Sequence, residues 1–244
     1  MPKQARPAGA RIREIRSATD PAFGHAYRLL TRIFPRAELL PKRDWIDVMR
    51  ERDEGLWTDL NWHLLVAERG GKTVGAASGS YVGNVNVGII GYIAVRREAR
   101  AARVGPRLRQ RLCAAFRRDA RRMRRRPLDG IVGEVRADNP WLRQLVRATG
   151  AIALDFPYYQ PSLAGRGLPV PLVLYYQPLR RRRRWLSGAE VRRLLYTMWR
   201  RPYRIAKPLS RPAFRRMMRH LAGRRRIGQR ALLPPGPAGN GAIA

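Results

Sequence analysis

Cysteine is almost absent: Cys113 is the single one in 244 residues, so there is no internal disulfide and no cysteine-based zinc cluster. Histidine is nearly as scarce, and His25, His63 and His220 are too dispersed to form a metal-ligating spacing, so no metal is expected. Acidic residues are few, 17 Asp+Glu against 51 Lys+Arg, which leaves a formal charge of +34. Such an excess attracts polyanions (nucleic acid, anionic lipid headgroups, acidic proteins) and says nothing about fold. Long apolar runs are also missing. Met1 to Ala10 contains no apolar core of a signal peptide and no run reaches membrane-spanning length. A cytoplasmic protein is therefore expected, with peripheral membrane attachment as the variant that the basic charge leaves open.

What is present is ordinary for a folded chain: 45% hydrophobic residues and enough length for one domain with an appendage. Composition divides it. Residues 1–10 read as a disordered lead, 11–178 as the domain, 179–231 as a basic helical extension and 232–244 as a disordered Pro/Gly-rich tail. The last 65 residues hold 19 of the basic residues and one of the acidic ones, so basicity is global but densest at the end.

Within the domain, Arg11 to Arg16 reads as a first strand. Thr19-Asp20-Pro21 then looks like a helix cap, and Phe23, Ala26, Tyr27, Leu30 and Phe34 recur at helical spacing until Pro35. Lys42 to Arg52 reads as a second helix. Two strand-like runs, His63 to Ala67 and Thr73 to Ala77, flank Gly70-Gly71, a hairpin signal. Asn84 to Val95 is a further strand, Leu128 to Val135 another, and Ala151–Tyr159 with Val170–Gln177 a closing pair. Arg117 to Arg126 reads as a solvated basic run. Beyond Pro178, Arg180 to Arg184 is a charge run. Val191, Leu194, Leu195 and Met198, then Phe214, Met217, Met218 and Leu221, mark two amphipathic helices whose other faces are almost wholly Arg.

The stretch from Gly91 to Phe116 organises the rest. A strand ends at Val95, a short basic loop follows, and a helix opens near Gly105 with Val104, Leu108, Leu112, Ala115 and Phe116 on one face. Unpaired N–H groups of a first helical turn and the helix dipole together favour an anion there. A second such unit follows: a strand ending at Val135, Asn139 as cap, Pro140 in the first turn and Gly150 at the end.

These two units resemble the GNAT N-acetyltransferase superfamily, whose pattern is a strand ending in Val, an Arg or Gln, two residues, Gly, one residue, Gly or Ala, and a helix. Arg100 takes the Arg/Gln place, Arg103 the first Gly place and Gly105 the second. Val135 and Asn139 stand at the family's interval for an Asn that lies along the pantetheine arm. The resemblance implies a mixed α/β fold with a central, mostly antiparallel sheet and flanking helices. It also implies binding of acetyl-coenzyme A or another acyl-coenzyme A by Ala94, Val95, Arg100, Ala101, Arg103, Val104, Gly105, Pro106 and Asn139. Two places depart from the family: Arg103 stands for a glycine, and Val146 for the tyrosine that protonates the departing thiolate.

Acyl transfer to an amine needs a bound thioester, a deprotonated amine and a polarised carbonyl. In the family's mode the Val95 N–H reaches the thioester oxygen. Glu134, on the strand bordering the family's cleft, is the candidate base, and Tyr92, on the strand entering the loop, the candidate to orient the amine or act as acid. Tyr158 and Tyr159 are substitutes for the missing tyrosine. His63 reads as a strand residue satisfied by its neighbours. The expectation is an N-acyltransferase acting on a small-molecule or peptide amine. The alternative is a catalytically weak relative held to RNA, an anionic membrane or an acyl carrier protein by its extension. A homodimer is also left open. For the extension itself, packing of the apolar stripes on the domain competes with a membrane surface and an acidic partner.

Overall fold

A computed structural model describes residues 9–165 and 167–232, so most of the lead and of the Pro/Gly tail lies outside the described residues. In chain order the elements are β1 (Arg11–Ile15), α1 (Pro21–Thr31), α2 (Lys42–Asp53), β2 (Leu60–Arg69), β3 (Lys72–Val82), β4 (Val87–Val95), α3 (Val104–Arg124), β5 (Gly130–Val135), α4 (Pro140–Thr149), β6 (Ile152–Ala153), β7 (Tyr158–Gln160), β8 (Val170–Pro178), β9 (Trp185–Leu186), α5 (Gly188–Arg200), α6 (Pro212–Leu221) and β10 (Ile227–Gly228). The main sheet runs β1-β2-β3-β4-β5-β8-β6, with β7 also on β8. Every pairing is antiparallel except β4 with β5. This is the mixed, mostly antiparallel architecture expected from the sequence.

Local chemistry explains the punctuation. The Asp20 carboxylate accepts from the Ala22 N–H and Pro21 opens α1, while the Asn139 side chain accepts from the Trp141 N–H and Gly150 closes α4 in the left-handed region. Gly70 and Gly71 both have positive φ, which the tight β2–β3 turn requires.

Three expectations are corrected. First, α1 ends at Thr31, and Phe34 is buried from the turn that follows, so helical spacing outlasted the helix. Second, the basic run Arg117 to Arg126 is solvent-facing but does not follow the helix: α3 continues through it to Arg124, because Arg is a good helix former and Asp119 and Ala120 turn inward. Third, Ala151 to Tyr159 is not one strand. It breaks into β6 and β7 around Asp155-Phe156-Pro157, where proline supplies no N–H for a ladder.

Alternation along the strands assigns the faces. Ile90, Ile93, Val95 and Ile131 meet α3 on one face, and Val135, Val173 and Tyr175 meet α4. On the other face Leu64, Val66, Ala76, Tyr92 and Ala94 meet α1 and α2. There, too, Val87, Ile89, Val132, Leu174 and Tyr176 meet α5 and α6. The apolar stripes of the extension are thus covered by the sheet, as the packing reading expects. Phe214 and Met217 are fully buried; truncating such a phenylalanine costs about 3–5 kcal/mol. A membrane-surface role would need those stripes free; of the aromatic residues of the extension, Trp199 and Tyr203 are buried while Trp185 is exposed.

Candidate active site

The single parallel pairing is short. β4 and β5 share a ladder only from Val87↔Gly130 to Ile90↔Gly133, although β4 runs on to Val95 and β5 to Val135. A bulge explains the parting. Against β3, Ser78 pairs with Tyr92 and Gly79 with Ile90, so Gly91 is the extra residue, and a bulge bends and twists its strand. Beyond it, β4 presents an open edge in the interior of the sheet. The Arg96 N–H is used by Val74 O at 2.9 Å on the β3 side, so alternation turns the Val95 N–H towards the open edge. A sheet interior with an unfilled backbone edge suits an extended amide-bearing ligand, which pairs with it as a strand would.

At the end of that edge the chain turns through a 3₁₀ segment, Arg97–Ala102, into α3. Arg103 sits between them at φ 54°, ψ 32°, the left-handed region where a side chain costs about 1–2 kcal/mol and glycine nothing. The backbone therefore keeps the shape that a glycine would adopt, with a guanidinium added. α3 has no side-chain cap at its N-terminus, so the first-turn N–H groups around Val104 and Gly105 are available to an anion, while Pro106 has none to give. Arg100, Ala101, Arg103 and Pro106 are exposed on this rim. Arg100 and Val95 also border a cavity of about 280 Å³ beside the end of α1. Ala94 is buried against the α1 and α2 face, and Asn139 lies at the start of α4, past the end of β5.

The two candidate catalytic groups lie on the same face. Glu134 alternates with Val132, so it faces the extension rather than α4. Its Oε1 accepts from both the Tyr158 and the Tyr203 hydroxyls. Burial pushes its carboxyl up to about 7, against the pull of those two donors, with Glu38 adding a smaller upward push. Tyr158 and Tyr203 are themselves held protonated by burial and by the Glu134 charge. Tyr92 is buried, and its hydroxyl is engaged with backbone: it donates to Glu38 O at 2.8 Å and accepts from the Leu40 N–H at 3.2 Å. Tyr92 thereby fixes the segment between α1 and α2 above the open edge. Tyr159 stands apart, with Arg216 over its ring at 5.6 Å.

A cavity of about 310 Å³ adjoins this group, bordered by Gly91, Tyr92 and Tyr203 together with aromatic residues of α2 and β2. Residues 25–144 match the Acetyltransferase (GNAT) family. The chain carries a GNAT acetyltransferase domain. Among solved structures, a GNAT-family protein from Bacteroides thetaiotaomicron matches with a TM-score of 0.55 at 16% identity, covering 79% of this chain and 98% of that one. The ribosomal-protein-S18-alanine N-acetyltransferase from Escherichia coli matches at TM-score 0.48 and 18% identity, over 69% of this chain and 93% of that one. The yncA protein from Salmonella typhimurium, solved with acetyl-CoA, matches at TM-score 0.48 and 16% identity, over 71% and 96%. No curated protein matches the chain.

The GNAT match ends at residue 144, and part of the site lies beyond it. Tyr203 comes from the turn after α5, and reading from the sequence missed it, because nothing local marks a tyrosine 69 positions away from Glu134 as its partner. Ion pairs hold that turn in place: Arg201 to Asp59 at 2.7 Å and Arg204 to Glu51 at 2.6 Å. Glu38 was missed too. It is buried, its carboxyl is raised by burial with Arg136 opposing, and its carbonyl gathers Tyr92 and Gln160.

The remaining histidine of interest is elsewhere. His63 lies between Glu14, at 2.5 Å from Nδ1, and Asp119, at 2.6 Å from Nε2, and Asn61 completes the network at 3.0 Å from Asp119. Burial alone would lower its pKa, but the two carboxylates outweigh burial and raise it. This network ties β1 and β2 to α3 on the face away from Glu134, as the satisfied strand histidine expected from the sequence.

Proposed function

We propose that the protein is an acyl-coenzyme A-dependent N-acyltransferase, most simply an acetyltransferase, in which Glu134 is the base and Tyr203 the hydroxyl between it and the amine. The observation that carries the reading is the coincidence of the open β4 edge with a buried carboxyl poised near neutrality at its side. The open edge, the uncapped α3 and the glycine-like backbone at Arg103 fit an acyl-coenzyme A, whose phosphates would lie at the rim from Arg100 to Pro106 and whose amide arm would lie along Ile93 to Val95. When bound, it supplies the thioester carbon: the C–N bond forms to the amine as the C–S bond breaks, and the sulfur leaves with the electron pair. The chain's own groups handle the protons. Tyr203 borders the acceptor cavity and also donates to Glu134. An amine proton can therefore pass to the Tyr203 oxygen as that hydroxyl's proton passes to Glu134. Tyr158, protonated and bonded to the same carboxyl, is the reserve donor for the leaving sulfur in place of the tyrosine that Val146 replaces.

The test is a transfer assay with acetyl-coenzyme A and an amine panel. Glu134→Gln should lower kcat about 10²–10⁴-fold and abolish a limb in the pH profile near 7, and Tyr203→Phe should slow turnover while leaving acetyl-coenzyme A affinity unchanged. Full activity in both variants would overturn the assignment of roles.

A second reading, for a partner rather than for catalysis, is favoured by a cavity of about 480 Å³ at the other end of β4 and β5. It is lined by Arg124, Arg126, Arg180, Arg181, Arg183 and Arg193. Asp129 takes Arg126 and Arg180 and Glu190 takes Arg183; the other three have no acidic partner among the described residues. We assign it to a phosphate-bearing polyanion such as RNA. Its affinity should fall linearly with salt on logarithmic axes and fall further in Arg181→Glu/Arg193→Glu.

A further inference from the structure

The arginine-lined cavity at the far end of β4 and β5 does not stand alone, and its surroundings narrow the kind of polyanion, an inference that rests on the partner reading above. Between its arginines the cavity has an apolar lining of Val87, Leu186 and Leu194 with the Tyr176 ring. A bare polyphosphate makes no use of such a lining, whereas a nucleotide offers it the flat face of a base. From the cavity a basic track continues along α5. The exposed residues of that helix are Ala189, Arg192, Arg193, Tyr196 and Arg200, which share one face at helical spacing. Arg193 lines the arginine cavity, and Arg200, about two turns on, lines the cavity beside Tyr203.

The track is free of acidic competition. Glu190, the one acidic residue of α5, is taken by Arg183, Arg192 and Arg193 have no acidic partner among the described residues, and Arg200 bonds only to the backbone carbonyls of Ile205 and Ala206. Tyr196 stands between these arginines, 43% exposed and braced by Phe214 at 6.3 Å between ring centroids. The two cavities are also tied to each other: Gly83 of the first donates to the Asp59 carbonyl at 2.6 Å, and the Asp59 carboxylate holds Arg201 of the second at 2.7 Å. An exposed ring spaced between guanidiniums suits a single strand, because the cations follow the phosphates and the ring stacks a base. A duplex keeps its bases stacked inside and presents phosphates and groove edges, which would leave Tyr196 and the apolar lining unused. An anionic membrane would need apolar side chains projecting beside the basic ones, and those of α5 are turned onto the sheet.

We infer that the polyanion is a single-stranded nucleic acid, seated by a nucleotide in the arginine cavity and running along α5, over Tyr196, to Arg200 at the mouth of the cavity beside Tyr203.

Fluorescence anisotropy of the full chain with a labelled oligoadenylate of about 12 nucleotides, against an RNA duplex of equal charge, polyglutamate and phosphatidylserine vesicles, tests this at a salt concentration of about 0.15 M. The single strand is expected to bind at least tenfold more tightly than the other three. Tyr196→Ala should weaken the strand at least fivefold and leave the duplex unchanged, while Tyr196→Phe, which keeps the ring, should bind as the parent does. Arg200→Glu should also weaken the strand. The inference is overturned if the duplex, polyglutamate or vesicles bind as well or better, if Tyr196→Ala and Arg200→Glu both bind the strand normally, or if Tyr196→Phe loses as much as Tyr196→Ala. Arg181→Glu/Arg193→Glu separates the two readings: equal binding of all the polyanions that this double variant weakens sinks the single strand alone, whereas binding that it leaves untouched, or no binding at all, sinks the polyanion cavity beneath it.

Discussion

Replacing Glu134 by glutamine should make the protein more stable as well as less active, and the gain should depend on pH. The carboxyl is raised from an ordinary 4.5 to about 7, chiefly by burial. A carboxyl raised on folding takes up a proton, so between those two values the folded state binds more protons than the unfolded chain and stability falls as pH rises. Above both values the ionised side chain costs the fold on the order of 3 kcal/mol; at pH 5 the same cost is under about 1 kcal/mol. Glutamine never ionises, and any fixed penalty from its amide cancels when two pH values are compared. Relative to the parent, Glu134→Gln should therefore gain about 2–3 kcal/mol between pH 5 and pH 8. For a chain of this size that is a relative melting shift of about 5–10 °C. Urea or thermal unfolding at the two pH values measures it. If parent and variant move in parallel between pH 5 and pH 8, Glu134 is an ordinary ionised carboxylate and is not poised to act as a base.

Other outcomes follow from the same geometry. Arg103→Gly removes a side chain from the left-handed region and should raise stability by about 1 kcal/mol, about 2–4 °C in melting temperature; a fall in thermal unfolding would contradict the strain assigned to Arg103. His63 has a raised pKa, so its contribution is fully present below its ordinary 6.5 and is lost as pH rises through the raised value. His63→Gln should flatten that part of the pH–stability curve, and an unchanged slope would contradict the pairing with Glu14 and Asp119. At Gly88 an added Cβ would run into the Phe116 ring, which is fully buried; Gly88→Ala should cost about 1–3 kcal/mol by urea unfolding, and a neutral result would mean that β4 and α3 separate more easily than they pack here.

Much of this was legible because local chemistry marked it. Asp20-Pro21, Gly70-Gly71 and Asn139-Pro140 with Gly150 are short-range signals that set caps and a turn irrespective of the rest of the chain. The strand, loop and helix from Gly91 to Phe116 followed from periodicity in the same way. Periodicity misled where one of its faces was uniform. Arg117 to Arg124 offered only a few inward positions among arginines, so a helix looked like a solvated run. It also misled where a proline was overlooked, as at Pro157 between β6 and β7. The candidate site was half legible. Glu134 could be placed because its strand borders the cleft, whereas Glu38 and Tyr203 reach it through tertiary structure: a turn between α1 and α2, and a turn after α5 held by Glu51 and Asp59. The Gly91 bulge that parts β4 from β5 is a register feature, and register is set by pairing partners rather than by the strand's own residues.

The proposed transfer stands on an acyl-coenzyme A bound along the open β4 edge, with its phosphates at the start of α3. Calorimetric titration with acetyl-coenzyme A, at moderate and at high salt, in the parent and in Gly105→Trp, tests it most directly. Saturable binding should survive high salt in the parent and disappear in the variant at both salt concentrations. Binding that high salt abolishes equally in the two proteins would reduce the interaction to the attraction of a +34 chain for any polyanion, and would contradict the assignment of the site.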